Sequence, residues 1–418
     1  MVNNMKELDV KLLKYCDLII NNIEKKGLKR YDRVQIRFMP IFQKGTKLSN
    51  IARKIIGVLD IYFPILTRKI LKKEKIILPT TYTHIANAYF IAEKEGINLN
   101  KTQNAKEILD LAINEYLEVD GKNYWWNYEK NEYFFPIDDS KRPTMHMHGL
   151  ARINILLLKL SIYFNYPKYE LISFNTLKTT INHHYISEKN GIKYISYYYN
   201  SLDCTINVNS EFAQWISMIP EKLMNEELYF IFKGVLRLIL DEQNSNGMWT
   251  YSSKDHNTFY GTKDKPDAHH TATILYNLLN IYESKFITKS EKERIIIACN
   301  QGFEFFINNF FDFKSGKCYV YTQKKQQAGP VQYSEATFAM IAFIKNNNVN
   351  CEIKKNVEVL LDKVILQMVA LVNVTDGSVP SEYFLHKWCN MDSIRWGNGP
   401  VLQAFVEYLA LIKMRKET

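Results

Sequence analysis

Gln243-Asn-Ser-Asn-Gly-Met-Trp-Thr-Tyr251, followed after a polar loop by Lys265-Pro-Asp-Ala-His-His-Thr-Ala-Thr-Ile-Leu-Tyr276, decides how the rest of the chain reads. Its first part reads as a helix stopped at Asn246-Gly247, because Gly takes the left-handed closing conformation without a Cβ clash. Trp249 and Tyr251 follow the stop. Pro266-Asp267 reads as a helix start, and Ala268 to Asn280 carries the apolar spacing of a buried helix. Asp267, His269 and His270 are thereby placed at the N-terminus of a core helix. Free backbone N–H groups point outward there and a site can be built.

The same unit recurs along the chain. Gly121 precedes Tyr124-Trp125-Trp126, then Asp138-Asp139, then Met145-His146-Met147-His148 opening an apolar helix. Gly191 precedes Tyr194 and Tyr197-Tyr198-Tyr199, then Ser210-Glu211-Phe212-Ala213-Gln214-Trp215. Gly316 precedes Tyr319 and Tyr321, then Tyr333-Ser334-Glu335. Gly377 precedes Tyr383, then Asp392-Ser393-Ile394-Arg395-Trp396 and an apolar run from Leu402 to Leu411. These glycines fall 56 to 70 residues apart. That period holds one helix hairpin and a loop, and such hairpins bury their faces only by stacking on one another.

Residues 1–418 therefore read as one domain, all-α, an (α/α)6 toroid of six hairpins with long aromatic-rich loops at one mouth. Residues 1–118 supply the N-terminal hairpins and 119–418 the five Gly-aromatic-loop-helix units. Further helices are expected at Met5–Lys25, Leu48–Leu71 with a break near Pro64, His84–Glu95 after a stop at Pro79, and Asn104–Leu117. Outer helices are expected at Glu221–Asp241, Ser290–Asn309 and Lys354–Leu371. Strand-like alternation is brief, at Lys193–Tyr199 and Cys318–Tyr321.

The 418 residues, 46% of them apolar, supply enough material for a large core. The net charge of +10 comes from scattered lysines, with Lys72-Lys73-Glu74-Lys75 the nearest approach to a cluster. No nucleic-acid motif is present, so no nucleic-acid partner is expected. The six cysteines are widely spaced and form no Cys-x-x-Cys pair, which argues against zinc knuckles and redox motifs. Met1 to Lys14 lacks the apolar core of a secretory signal, and no apolar run is long enough to span a membrane. A cytoplasmic location with free thiols is the simplest expectation.

Three segments carry a family resemblance. Gly27, Tyr31 and Asp32, then Gly247-Met-Trp-Thr-Tyr251 with Asp267-Ala-His-His-Thr271, then Ile394-Arg395-Trp396, resemble in order and spacing the motifs of VpsJ-type polysaccharide-biosynthesis proteins. Leu28-Lys29-Arg30 stands where that family has Tyr-Asp-Pro. The resemblance implies an α/α toroid tied to extracellular polysaccharide pathways. Gln243-x-x-x-Gly247-x-Trp249 also matches the Gln-Trp repeat of squalene-cyclase-like toroids, but once only, and the Asp-x-Asp-Asp acid of those cyclases is absent. The adjacent Cys-His zinc pair of lanthionine-cyclase-like toroids is missing as well.

The equivalent position of each unit is polar: His146 and His148, Glu211, Asp267 and His269, Glu335, Asp392 and Arg395. Helix capping accounts for an Asp, and Asp267 is a good cap. It does not account for Glu, His, Arg and Trp at the same place. Asp267, His269, Glu335 and Glu211 are the candidate catalytic set, since carboxylates beside imidazoles suit general acid/base work. A pair of glutamates flanking a sugar bond suits glycoside hydrolysis. His146, His148, Trp249, Tyr251, His270, Tyr333, Asp392, Arg395 and Trp396 are the candidate substrate contacts. Trp249 and Trp396 read equally as core, and Arg395 equally as a partner of Asp392. His146 and His148 lie two apart, a spacing that does not share a helix face, so neither a metal nor another cofactor is expected. The chain reads as a carbohydrate-active protein doing hydrolysis, elimination or epimerisation at a sugar ring, with a saccharide as ligand. A cyclase acting on an isoprenoid or peptide, and a non-catalytic toroid binding glycan or protein, are the alternatives.

Overall fold

The computed structural model describes residues 2–37, 39, 46–126, 147–188, 191, 193–197, 202–253 and 265–417. Twelve helices build the ring: α1 Val2–Lys26, α2 Pro79–Glu95, α3 Ala105–Tyr116, α4 Met147–Phe164, α5 Pro167–His184, α6 Ile206–Ser217, α7 Glu226–Asp241, α8 Ala268–Tyr282, α9 Lys289–Phe310, α10 Pro330–Lys345, α11 Cys351–Val369 and α12 Gly399–Glu417. The even-numbered helices pack side by side in the order α2, α4, α6, α8, α10, α12 and back to α2. Each odd-numbered helix lies outside, against its inner partner: α3 on α2, α5 on α4, α7 on α6, α9 on α8, α11 on α10, and α1 on α12. This is the (α/α)6 toroid expected from the repeat.

Sequence explains the two layers. Outer α7 buries Leu228, Ile231, Phe232, Val235, Leu236 and Ile239, one stripe at helical spacing, and leaves its other face to solvent. Inner α6 is buried from Ile206 to Ser217, and α12 from Gly399 to Ile412, so their polar residues must find partners inside the ring. Caps set the starts. Asn104 and Thr288 form capping boxes with Glu107 and Glu291, and Asp267 caps α8 by accepting from His270 N. Pro79 opens α2 at its first position, where its missing N–H costs nothing. The expectation that Pro79 stops the chain, with the helix beginning only at His84, is corrected here.

Inner helices pass to their outer partners by short turns. The long connections run from each outer helix back to the next inner one. Four of them carry a two-stranded antiparallel hairpin: β1 Leu117–Asp120 with β2 Asn123–Trp126, β3 Tyr185–Ser187 with β4 Lys193–Ile195, β5 Phe311–Asp312 with β6 Lys317–Cys318, and β7 Glu382–Phe384 with β8 Lys387–Cys389. Neighbouring loops are stitched together at the helix starts. Met147 N donates to Tyr197 O, Thr205 bridges Ser252, and Asp267 bridges Tyr321. The N-termini of the inner helices therefore gather at one mouth.

All five repeat glycines have positive φ, from +59° to +86°. The sequence expectation that Gly247 closes a helix needs correction. α7 ends at Asp241, and Gly247 sits in a turn closed by Asn244 N donating to Met248 O at 2.8 Å. A Cβ at Gly247 would meet Gln301 O of α9 at 2.2 Å, one at Gly316 the Lys363 backbone of α11 at 2.6 Å, and one at Gly377 Leu18 O of α1 at 2.0 Å. Each of these turns presses bare backbone onto the next outer helix around the ring.

Candidate active site at the mouth of the ring

Arg152, on the second turn of α4, is the hub. Its Nε donates to Glu211 Oε1 of α6 at 2.7 Å, and its Nη1 and Nη2 donate to the two carboxylate oxygens of Glu335 of α10 at 2.5 and 2.9 Å. Four residues earlier on the same helix face, His148 places Nδ1 3.0 Å from Glu211 Oε2. Thr273 of α8 lies 3.4 Å from both Arg152 Nη2 and Glu335 Oε2, and its hydroxyl donates to His269 O at 3.0 Å. The imidazoles of His148 and His269 stand edge to face with centroids 5.8 Å apart. His269 in turn lies 4.9 Å from His270, and Tyr251 lies 4.5 Å from His270. Asp267 accepts from His270 N at 3.0 Å and pairs with His270 Nδ1 through its other oxygen.

Burial separates the charges. The side chains of Glu211 and Glu335 are 1% and 2% exposed. Burial pushes the Glu211 carboxyl up to about 7 against the pull of Arg152. For Glu335, burial also raises, but the bidentate Arg152 outweighs it and holds the group down to about 2. Burial opposes the charge on Arg152, and the two glutamates more than offset it, so the guanidinium stays protonated. The imidazoles go the other way. Burial, with Arg152 beside it, keeps His148 well below its usual range. Burial, with His270 beside it, brings His269 to about 3. Both rings are neutral near pH 7. His269 Nδ1 is buried and has no hydrogen-bond partner among the described residues. Asp267 is held below its usual value, burial being outweighed by the charge of and hydrogen bond to His270.

Below the Arg152 fork lies a partly open cavity of about 50 Å³. Its lining includes His84 and Asn87 of α2, Lys159 of α4, Gln214 of α6, Asn277 of α8 and Gln403 of α12. His84 Nδ1 lies 2.8 Å from Gln403 Oε1, and Gln403 Nε2 donates to Glu407 Oε1 at 2.8 Å. Burial brings His84 down to about 4 and raises Glu407. Asn87 Oδ1 and Gln214 Nε2 have no partner among the described residues, which is the chemistry of a chamber that holds water or ligand.

The structure brings Glu211, Glu335, His148, His269, His270, Asp267 and Tyr251 together at this mouth. It moves others out. Trp249 is 1% exposed, donates Nε1 to Ile239 O at 2.9 Å and lies where a Cβ on Gly302 would strike it. It is a packing residue, not a substrate platform. Tyr333 is wholly buried, with its hydroxyl accepting from Cys318 N at 3.0 Å, so its role is also packing. Asp392 pairs with Lys26 at 2.8 Å rather than with Arg395. Arg395 lies 4.0 Å from Asp32, and Trp396 Nε1 donates to Asp32 Oδ1 at 3.1 Å. Arg395 depresses the His148 and His84 values, which puts its charge within reach of the mouth. His146, and with it Asp138-Asp139, lies outside the described residues. Among the described residues no group of three or more His, Cys, Asp or Glu is arranged to hold a metal ion.

Sequence reading missed Arg152, His84, Gln403 and Glu407. A signal was present. In the apolar run Met147–Phe164 the polar residues His148, Arg152 and Lys159 recur at i, i+4 and i+11, a single helix face. Gln403 and Glu407 repeat the i, i+4 spacing in α12.

The fold defines an α/α toroid with a polar lumen. No protein-family model matches the chain, and no curated protein sequence matches it. Solved structures do share the fold. Cellobiose 2-epimerase from Spirochaeta thermophila matches over 89% of this chain and 99% of its own, with a TM-score of 0.56 at 8% identity. The GH76A alpha-1,6-mannanase from Salegentibacter sp. HEL1_6 matches over 80% and 90%, at 0.56 and 9%. A sugar epimerase from a ruminal bacterium matches over 79% and 87%, at 0.55 and 11%.

Proposed function

We propose that this protein performs acid/base chemistry on a sugar ring, in the assembly or tailoring of a cell-surface polysaccharide. Its reaction is proton transfer at a ring carbon, an epimerisation, isomerisation or elimination, rather than hydrolysis. The observation that carries this reading is that one guanidinium occupies both buried glutamates. A glycoside hydrolase needs one carboxyl free to protonate the leaving oxygen and a second free to attack or to activate water. Here Arg152 holds Glu335 bidentately and Glu211 through Nε. The groups left to exchange protons are the neutral imidazoles of His148 and His269, on two different helices across the mouth. Glu211 Oε2, 3.0 Å from His148 Nδ1, fixes the orientation of that ring, with Arg152 holding the other carboxylate oxygen. His270, oriented by Asp267, backs His269. The sugar-acting neighbours and the VpsJ-type motifs support the substrate class. Asp32 bonded to Trp396 also brings two of the three resembling segments into contact. A polar mouth of this kind disfavours an isoprenoid cyclase.

Proton transfer leaves a label. The protein is incubated in deuterium oxide with reducing oligosaccharides and with uronate-containing oligosaccharides, and ring C–H signals are followed by proton NMR. Loss of one ring proton signal is expected, slowed about 10²–10⁴-fold by His269→Asn, with the melting temperature of the variant unchanged. Release of a smaller sugar without deuterium uptake would show hydrolysis instead.

A further inference from the structure

Between α1 and α2 runs the longest connection to an inner helix, and besides the short helix Val34–Arg37 it carries the helices Lys47–Tyr62 and Pro64–Ile70. On Lys47–Tyr62, the apolar residues Leu48, Ile51, Ile55, Val58, Leu59 and Tyr62 share one face. An amphipathic helix of a globular protein turns such a face inward. This one turns it outward: these six side chains are 42–77% exposed. Phe63 between the two longer helices, and Ile65, Leu66 and Ile70 on Pro64–Ile70, are exposed as well. The surface continues onto the neighbouring β7–β8 hairpin, whose Phe384 and Leu385 are exposed and whose Lys387 ammonium sits 4.6 Å over the Tyr62 ring.

The segment is firmly seated on its other side. Arg68 is fully buried, pairs with Asp60, and donates Nη2 to Asp32 O at 3.0 Å. Asp60 O lies 3.7 Å from Cys389 Sγ. Asp32 in turn holds Trp396 and Arg395 at the mouth. The apolar face is therefore part of the rim of the ring, fixed to the same residues that border the candidate site.

Charge says what the face meets. Across residues 46–75 the exposed ionic side chains are Lys47, Arg53, Lys54, Lys69, Lys72 and Lys75, against the single exposed acid Glu74. Apolar side chains with lysines beside them are the pattern of helices that lie in the plane of a membrane interface. Basic side chains add attraction to anionic headgroups there. A second copy of this chain would bring the same cations face to face and repel.

We propose that the helices Lys47–Tyr62 and Pro64–Ile70, with the β7–β8 tip, dock the ring mouth-down on an anionic bilayer surface. No described helix is long and apolar enough to cross the membrane, so the attachment is peripheral. The apolar side chains enter the headgroup boundary and the lysines lie at the phosphates. Docking does not depend on the sugar chemistry proposed above, although it would present the mouth to saccharides held at a membrane surface.

The test is flotation of the full chain with vesicles of phosphatidylcholine and phosphatidylglycerol, compared with phosphatidylcholine alone. Flotation with the anionic vesicles only, weakened by added salt, is expected. Ile55→Ser with Leu66→Ser, and separately Lys54→Glu with Lys69→Glu, should each weaken it about tenfold or more. All four positions are exposed, so melting temperatures should not move. No flotation, or equal flotation with both vesicles, would overturn the proposal. So would a dimer in sedimentation that the same variants dissolve, since the face would then join two copies. Flotation needs no substrate, so its failure and a failure of the sugar reading are separate results.

Discussion

Arg152 sets the electrostatics of the site, and its removal gives a prediction with a sign. In the native protein Glu335 has a folded value of about 2 against an ordinary 4.5. Its contribution to stability is complete above about 4.5 and is lost as pH falls toward 2. Arg152→Met takes the main opposing charge away from two buried carboxylates, which should cost about 3–5 kcal/mol. Burial raises both values above those of the unfolded chain. Native Glu211, held at about 7, already makes the protein gain stability as pH falls from about 7 to 4.5. The variant should gain more steeply over that range, because both carboxylates then contribute, and should lack the loss that Glu335 causes below about 4.5. Urea midpoints across that pH range check it, and a parallel pH dependence in both proteins would contradict it. Asp267 gives a second test. Asn keeps the cap on His270 N but removes the carboxylate partner of His270 Nδ1. Asp267→Asn should lose activity with a small fall in melting temperature from the lost His270 pairing, whereas Asp267→Ala should lose roughly 1 kcal/mol more through the cap. Asp267, His269, Glu211 and Glu335 were legible because each sits near a helix start in a repeated unit. Arg152 was not, because a lone arginine in an apolar helix looks like an interruption until the lumen gives it two acids to face.

The loops were the most legible elements, and they carry a test of why. Glycine spacing placed five of the six outer-to-inner connections, since each of these glycines holds a turn with positive φ. Sequence could not say that three of these turns rest on the next outer helix, since contact between units leaves no local pattern. Gly377→Ala would add a Cβ 2.0 Å from Leu18 O, besides the strain of φ +70°. Gly121→Ala meets nothing within 4 Å at φ +59°. The left-handed conformation alone costs roughly 1–2 kcal/mol in an alanine. Gly121→Ala should lose about that much. Gly377→Ala should lose clearly more, because the α1 backbone must move as well. Equal losses in denaturant titrations would mean that the turn does not bear on α1. The helices of residues 47–70 show the opposite case. Periodicity located them and the Pro64 break, but periodicity cannot say whether an apolar face looks inward or outward.

A closed ring differs from an open stack of hairpins in having no end from which to fray. Linear repeat arrays behave as sums of units and nearest-neighbour interfaces, so a lesion at one terminus loosens that terminus first. Here α1 and α12 close the circle, and Gly377 rests on α1. Ile19 of α1 is fully buried in this seam, in the same apolar cluster as Leu402 and Phe405 of α12. Ile19→Ala should cost about 2–5 kcal/mol through lost burial and the cavity left behind. If closure makes the ring one cooperative body, the whole unfolding transition moves to lower denaturant without broadening. Helical circular dichroism would then shift together with the fluorescence of Trp215 and Trp249, which lie buried away from the seam. If the seam opens first, helix content falls while those indoles still report a folded environment, and the two curves separate. Separate curves would describe a stack that merely meets at its ends. Coincident curves would mean that the geometry of the mouth, where four inner helices hold Arg152 and its partners, is maintained by the entire circle.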